Sequence, residues 1–192
     1  MEIRLTDPTD LPLAADVLAD AFRDYAWTRY IIPEEAYDDR LRALQLLYLE
    51  YANDHGLVGI AAGKDGEVDG VIALVAPGAP DPAPEAVRRV VELHGDRIDR
   101  LSHASEVDAQ AWRLETLGVR RSRQGAGLAS ALLSFADSLV AVRGGGPVTL
   151  ETSDPRNVRL YERHGFGVVS HEPASRRPPV WRMRAVIDAD RP

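Results

Sequence analysis

The chain has 192 residues, a formal net charge of -7 and no cysteine. That length suits one sizeable domain with a real core, and the acidic balance excludes a general nucleic-acid binder, which needs a basic surface to release counterions. The missing cysteines exclude disulfides, thiolate metal sites, a cysteine nucleophile and any acyl-thioester enzyme intermediate.

Glu2 to Leu5 predicts a short first strand, closed by the turn residues TDPTD, with Asp10 at a helix N-cap. Leu11, Ala14, Ala15, Leu18 and Phe22 then follow helical spacing. Pro33, Glu34 and Glu35 open a second helix, with Leu41, Leu44, Leu47, Tyr48 and Tyr51 as its apolar stripe and Gly56 as its stop. LVGIAAG and VDGVIALVA read as two strands joined by the turn KDGE. The proline-dense PGAPDPAP predicts an extended connection and Glu85 to Arg100 a helix, together a helical insertion over about 77–108. AWRLETLGV is the next strand. It leads into RRSRQGAGLASALLSFAD, where basic residues and two glycines precede an apolar-periodic helix. PVTLETS predicts a strand, PRNVRLYERHGF a short helix closing on Gly165, and FGVVSH and PVWRMRAVI two final strands. The order is that of one α/β domain spanning 1–192.

No apolar run approaches membrane-spanning length, and MEIRLTDPTD is acidic where a signal peptide is basic and then apolar. A cytoplasmic protein with no membrane or nucleic-acid partner is expected. The five histidines lack metal-ligand spacing, so no metal is predicted.

The helix that follows Gly125 and Gly127 offers unpaired N–H groups and the positive end of its dipole, which suits phosphate. Gln124, Gly127 and Ala129 give the spacing Gln-x-x-Gly-x-Ala. A P-loop would need Gly-Lys-Ser/Thr, and no lysine is present there. A dinucleotide fingerprint wants its first glycine tight against the strand, but Arg120 to Gln124 intervene. Arg120, Arg121 and Arg123 either reach phosphates or are simply solvated.

LETLGVRRSRQGAGLASALL and LETSDPRNVRLYERHGF, at this separation, resemble the two signature segments of the GNAT superfamily of acyl-CoA N-acyltransferases. AFRDYAWTRYIIPE, AWRLETLGV, LETSDPRN, YERHGF and PVWRM further resemble the puromycin N-acetyltransferase group and its bacterial relatives. The family has proline at the position of Arg121, and glycine is common at that of Ala129. The resemblance implies an α/β GNAT fold with helices flanking a central mixed, mostly antiparallel sheet. That sheet would have about six to seven strands, splayed between the fourth and fifth.

The resemblance also implies acetyl-CoA as co-substrate. Its pyrophosphate would rest on the amides of Gln124, Gly125, Ala126, Gly127, Leu128 and Ala129. Its pantetheine would pair with the strand near Leu117, Gly118 and Val119, where a glycine fits a close backbone approach. By the resemblance Asn157 would hold the pantetheine arm, the alternative being a helix cap after Pro155. Tyr161 is the implied general acid that protonates the departing thiolate, against a ring merely packed on Phe166. Glu151 and, as the second candidate, Glu115 are the carboxylates available as base.

Asp24, Tyr25, Trp27 and Tyr30 form an acidic, aromatic cluster able to hold a cation, with Trp112 and Trp181 as further walls, the alternative for each being core packing. The implied activity is direct acetyl transfer in a ternary complex to a small-molecule amine, in an antibiotic-modifying or detoxifying role. The alternatives are an acetyltransferase of protein or peptide N-termini and a non-catalytic acyl-CoA-binding regulator. A monomer or a homodimer is expected.

Overall fold

A computed structural model describes residues 2–63, 66–101 and 108–189. The predicted turn at Lys64 and Asp65 and the end of the predicted insertion, 102–107, lie outside the described residues.

Strand β1 (Glu2–Leu5) is followed by helix α1 (Leu11–Phe22). Asp10 occupies the N-cap position but does not cap. Its carboxylate takes a bidentate bond from Arg4, at 2.6 and 2.9 Å, together with the Asp7 N–H. The Arg4 guanidinium holds the Asp10 carboxyl below the usual carboxylate range.

Three helices, not the predicted two, precede the second strand. The additional one is α2 (Ala26–Ile31), too short at six residues to leave a periodic pattern. Pro33 to Glu35 lie in the link that follows, and α3 (Tyr37–His55) begins only after Ala36, which adopts φ 51°. From the predicted stripe Leu41 and Leu44 are buried, joined by Leu49 and Ala52. Helix α3 runs without a loop into β2 (Gly56–Ala62). A Cβ on Gly56 would stand 2.0 Å from the Leu74 carbonyl oxygen, so only glycine fits that join.

Strand β3 (Val68–Val75) is buried along its whole length, as its apolar run requires of a central strand. Helix α4 (Pro84–His94) ends at Gly95, and a 3₁₀ turn over Gly95–Leu101 replaces the rest of the predicted helix. Then come β4 (Trp112–Val119), α5 (Leu128–Val142), β5 (Gly146–Thr152), α6 (Pro155–Arg163), β6 (Gly167–Glu172) and β7 (Val180–Ile187).

The seven strands form one sheet in the order β1-β2-β3-β4-β5-β7-β6. Every pairing is antiparallel except β4 with β5. The last strand is therefore not at an edge: β7 is enclosed by β5 and β6, and β6 is the exposed margin. One face of the sheet carries α1 and α3 over Val58, Ile60, Val71 and Ala73. The other carries α5 and α6 over Leu74, Trp112, Leu114, Val148, Leu150 and Met183. A third apolar cluster joins α2, α3 and α4 through Ile32, Tyr37, Leu41, Leu44 and Leu93. This is the expected architecture, a mixed, mostly antiparallel sheet of seven strands flanked by helices.

Candidate active site

Strands β4 and β5 pair only at Trp112 with Val148 and Arg113 with Thr149, and then part. Beyond that point a cleft opens in the middle of the sheet. The Arg120 N–H donates to Asp69 O on β3, at 2.9 Å. In an antiparallel ladder the N–H and C=O of alternate residues turn to opposite sides. Those of Gly118 therefore serve β3, while those of Leu117 and Val119 face the cleft. Gln124 Nε2 donates to the Val119 carbonyl at 3.1 Å, and among the described residues no strand pairs with Leu117 or Val119 on the cleft side. The absent side chain of Gly118 makes room for α1, not for a ligand: a Cβ there would lie 2.6 Å from Leu18 Cδ2.

At the end of the cleft, Arg121 to Gly127 are all exposed. Gly125 and Gly127 sit at φ 80° and 81°, a conformation costly for any residue with a Cβ. Among the described residues, no N–H from Gly125 to Ser130 has an internal acceptor, since the first helical bond is Ala131 N–H to Gly127 O. Six unpaired amides thus precede and open the 15-residue α5. The arginines are already committed. Arg120 bonds Val68 O, Arg123 bonds the buried Asp69, and Arg121 pairs with Asp24, whose carboxyl it holds below the usual range. They tie the loop down instead of reaching outward.

On the opposite lip, the cap of α6 is Asp154, whose carboxylate accepts the Arg156 N–H at 2.7 Å. Asn157 is thereby excused from capping, and its Nδ2 donates to Thr152 Oγ1 at 3.2 Å. One turn on, the Tyr161 ring is buried and meets Phe166 edge-on, with centroids 5.7 Å apart. Its hydroxyl has no hydrogen-bond partner among the described residues. Burial pushes this phenol up, and the nearby Tyr25 adds to the effect.

Glu115 and Glu151 stand two residues beyond the last paired positions, Arg113 and Thr149, one on each side of the fork. A bulge in β4, where Ala73 faces Thr116 and Leu74 faces Leu114, leaves Glu115 as the extra residue. Val148 and Leu150 face α5, so Glu151 points to the other face. Glu115 points the same way, toward Tyr48 of α3, whose phenol is pushed up first by burial and then by this carboxylate. Each glutamate holds an arginine: Glu115 to Arg113 at 2.7 Å and Glu151 to Arg182 at 2.8 Å.

A split between two parallel strands, a ring of free amides at the following helix and a lone phenol opposite them together match a known architecture. The model of the acetyltransferase (GNAT) family fits residues 19–166. The chain belongs to the GNAT acetyltransferase family. Members of this family use acetyl-CoA, and this chain is an enzyme of that kind.

Three solved structures are similar to this GNAT chain. A histone acetyltransferase HPA2 and related acetyltransferase from Corynebacterium glutamicum is 26% identical, over 99% of this chain and 97% of that one, with a TM-score of 0.74. Arylalkylamine N-acetyltransferase 2 from Aedes aegypti is 12% identical, over 97% and 99%, with a TM-score of 0.71. The ribosomal-protein-S18-alanine N-acetyltransferase from Escherichia coli is 17% identical, over 97% and 94%, with a TM-score of 0.61. Three different acceptors are named on one frame, so the fold does not determine the acceptor.

The remaining expected residues of this acetyltransferase are dispersed. Trp27 and Tyr30 pack together at 5.8 Å against the α2–α3–α4 cluster. The cation places beside them are taken by the protein's own arginines, with Arg100 over Tyr30 at 4.9 Å and Arg29 over Tyr37 at 3.8 Å. Trp112 is buried beneath α5. Trp181 stacks on His171 at 4.5 Å, in the strand pair β6–β7. Tyr25 lies apart from Trp27 and Tyr30, bonded to β5. Arg113 and Arg182 carry no signal in the sequence beyond alternation along strands whose pairing it leaves undefined, and Tyr48 shows there only as part of the apolar stripe of α3. Among the described residues no group of His, Asp and Glu is arranged to hold a metal, and no helix is long and apolar enough to cross a membrane.

Proposed function

We propose that this enzyme moves acetyl from acetyl-CoA to a primary or α-amino group of a small molecule, by direct attack with both substrates bound. The observation that carries this reading is the fork between β4 and β5. One lip presents open backbone at Leu117 and Val119, the other presents Asn157 and Tyr161, and two carboxylates sit at its base.

The free amides from Gly125 to Ser130 suit the CoA pyrophosphate. With Nδ2 engaged by Thr152, Asn157 keeps its Oδ1 as an acceptor for a pantetheine N–H. Acetyl-CoA supplies an activated acyl carbon and a leaving sulfur. The amine nitrogen bonds to that carbon and gives up a proton to a carboxylate beside it, the carbon–sulfur bond breaks, and Tyr161 gives its proton to the sulfur and is reprotonated from solvent, to which the carboxylate in turn releases its own. The phenol is protonated at neutral pH, and burial pushes its loss of a proton further into the alkaline range. The face bearing Glu115 and Glu151 receives the amine. Alkyl amines, with pKa near ~10, must lose a proton there before they can attack. Arg113 and Arg182 hold the Glu115 and Glu151 carboxylates in place through their ion pairs.

The resemblance to the puromycin N-acetyltransferase group supports an antibiotic-modifying or detoxifying role and makes puromycin the first acceptor to try. The test is a thiol-release screen with acetyl-CoA against puromycin, aminoglycosides, polyamines, amino acids and short peptides. Turnover of a small amine is expected. Turnover of peptides alone establishes an N-terminal acetyltransferase, and CoA binding without any turnover establishes a regulator. If neither CoA nor acetyl-CoA raises the melting temperature, the reading fails altogether.

A further inference from the structure

The last turn of α1 and its link to α2 touch both lips of the fork. On the β4 side, Asp20 accepts the backbone N–H of Arg121 at 2.8 Å, and Asp24 holds the Arg121 guanidinium. On the β5 side, the Tyr25 hydroxyl accepts the backbone N–H of Ser153 at 2.6 Å and bonds Thr152 Oγ1 at 3.1 Å. Phe22 joins the two contacts. Its ring lies 3.5 Å from where a Gly118 Cβ would be, and meets Tyr25 edge-on at 5.4 Å. The end of α1 and its link to α2 therefore reach from the β4 side to the β5 side, across the gap that no strand pairing spans beyond Arg113 and Thr149 among the described residues.

Two separated strands carry no hydrogen bonds of their own to fix their distance, so something else must set it. We infer that Asp20–Tyr25 is a clasp that fixes the width of the donor cleft. In it, Tyr25 positions the pantetheine side and Asp20 the pyrophosphate side. This rests on the acetyl-CoA reading of the cleft. Tyr25 acts through Thr152, the same hydroxyl that turns the Asn157 amide, and so sets which end of that amide faces the donor. Asp20 acts through the backbone of Arg121, four residues before Gly125, and so sets where the free amides stand. Neither side chain has to touch the donor.

The two arms separate by ligand. Pantetheine carries the thiol arm without pyrophosphate or nucleotide, whereas CoA carries both. Dissociation constants of the two, measured by calorimetry under reducing conditions, need no acceptor. The full chain is compared with Tyr25→Phe, Asp20→Ala and Thr152→Val, each checked for an intact thermal transition.

Tyr25→Phe is expected to weaken CoA and pantetheine alike by about fivefold to tenfold, the worth of one hydrogen bond. Asp20→Ala is expected to weaken CoA by a similar factor and leave pantetheine unchanged. Thr152→Val, which removes the link to Asn157 without changing the side chain's shape, should repeat the Tyr25 pattern and decides the matter if Tyr25→Phe does not fold. Wild-type affinity for both ligands in Tyr25→Phe and Thr152→Val overturns the clasp. So does an equal loss for both ligands in Asp20→Ala, which would mean a general loosening. If the wild-type chain binds neither ligand, the acetyl-CoA reading itself is wrong. If it binds both and the variants match it, only the clasp is.

Discussion

Gly118 in β4 and Leu18 in α1 leave no room between them for one more carbon: a Cβ on Gly118 would lie 2.6 Å from Leu18 Cδ2 and 3.2 Å from Ala21 Cβ. Leu18 is fully buried, so its side chain can give way only by displacing its own neighbours in the core. Gly118→Ala is expected to cost roughly 1–3 kcal/mol, the usual range for overpacking a close-packed core. Urea denaturation should show the midpoint falling with an unchanged slope. An unshifted midpoint would mean that α1 is not seated on β4.

Glu115 and Glu151 flank the fork on one face, and each is expected to help the acceptor amine lose its proton. Glu115→Gln and Glu151→Gln should each lower kcat/KM for the amine at neutral pH, by up to roughly 10²-fold, with CoA affinity unchanged. The deficit should shrink as pH rises toward the amine's own pKa near ~10, because a self-deprotonated amine needs no base. PH–rate profiles of the two variants decide this. A deficit that stays constant with pH would leave the carboxylates a purely binding role.

What could be foreseen in this chain was local. The run AWRLETLGV, the two glycines and the helix after them each declare themselves within a few residues, and β4, the loop and α5 follow. The six residues of α2 span less than two turns, so no period could form. The place of β7 between β5 and β6 is a matter of pairing between distant segments, for which the alternation of PVWRMRAVI gives no partner. The bulge at Glu115 leaves no mark in its own strand, yet it decides that Glu115 and Thr116 share a face.

The site divides along the same line. Gly125, Gly127, Asn157 and Tyr161 belong to two short motifs, and each motif sits on one element. Tyr25 stands out in the sequence for its neighbours Asp24 and Trp27, but its bonds run to Thr152 and Ser153, more than a hundred residues on. Asp20 and Asp24, spaced to share one side of a helix, were the readable hint that α1 ends facing a cation. That cation is Arg121, in the loop itself.

His94 offers a pH handle remote from the cleft. It is fully buried at the end of α4, its Nδ1–H donates to Val90 O at 2.8 Å, and its Nε2 has no partner among the described residues. Burial pushes its pKa below the ordinary 6.5, so the unfolded chain takes up a proton that the folded chain refuses. Stability should therefore be complete above pH 6.5 and fall as pH drops below it, by up to about 1.4 kcal/mol per pH unit, until the folded-state pKa is passed. Melting temperatures across this range should slope upward with pH, and His94→Leu should flatten that slope. An identical slope in the variant would place the proton uptake elsewhere.

Tyr161 joins burial to a hydroxyl without a hydrogen-bond partner among the described residues, and the two together make a sharp kinetic prediction. Tyr161→Phe keeps the ring and its edge contact with Phe166, so the fold and the affinity for CoA should be preserved. Only the proton for the leaving sulfur is lost, and kcat is expected to fall by about 10²–10⁴-fold. The wild-type profile carries a second signature. A phenol raised above its ordinary pKa of 10.0 stays protonated through the alkaline range, so kcat should show no descending limb below that pH. A variant turning over within about twofold of wild type, where positioned acids are worth far more, would remove Tyr161 from the chemistry. A wild-type alkaline limb that vanishes in Tyr161→Phe, but lies well below pH 10, would keep the acid and refute the raised pKa.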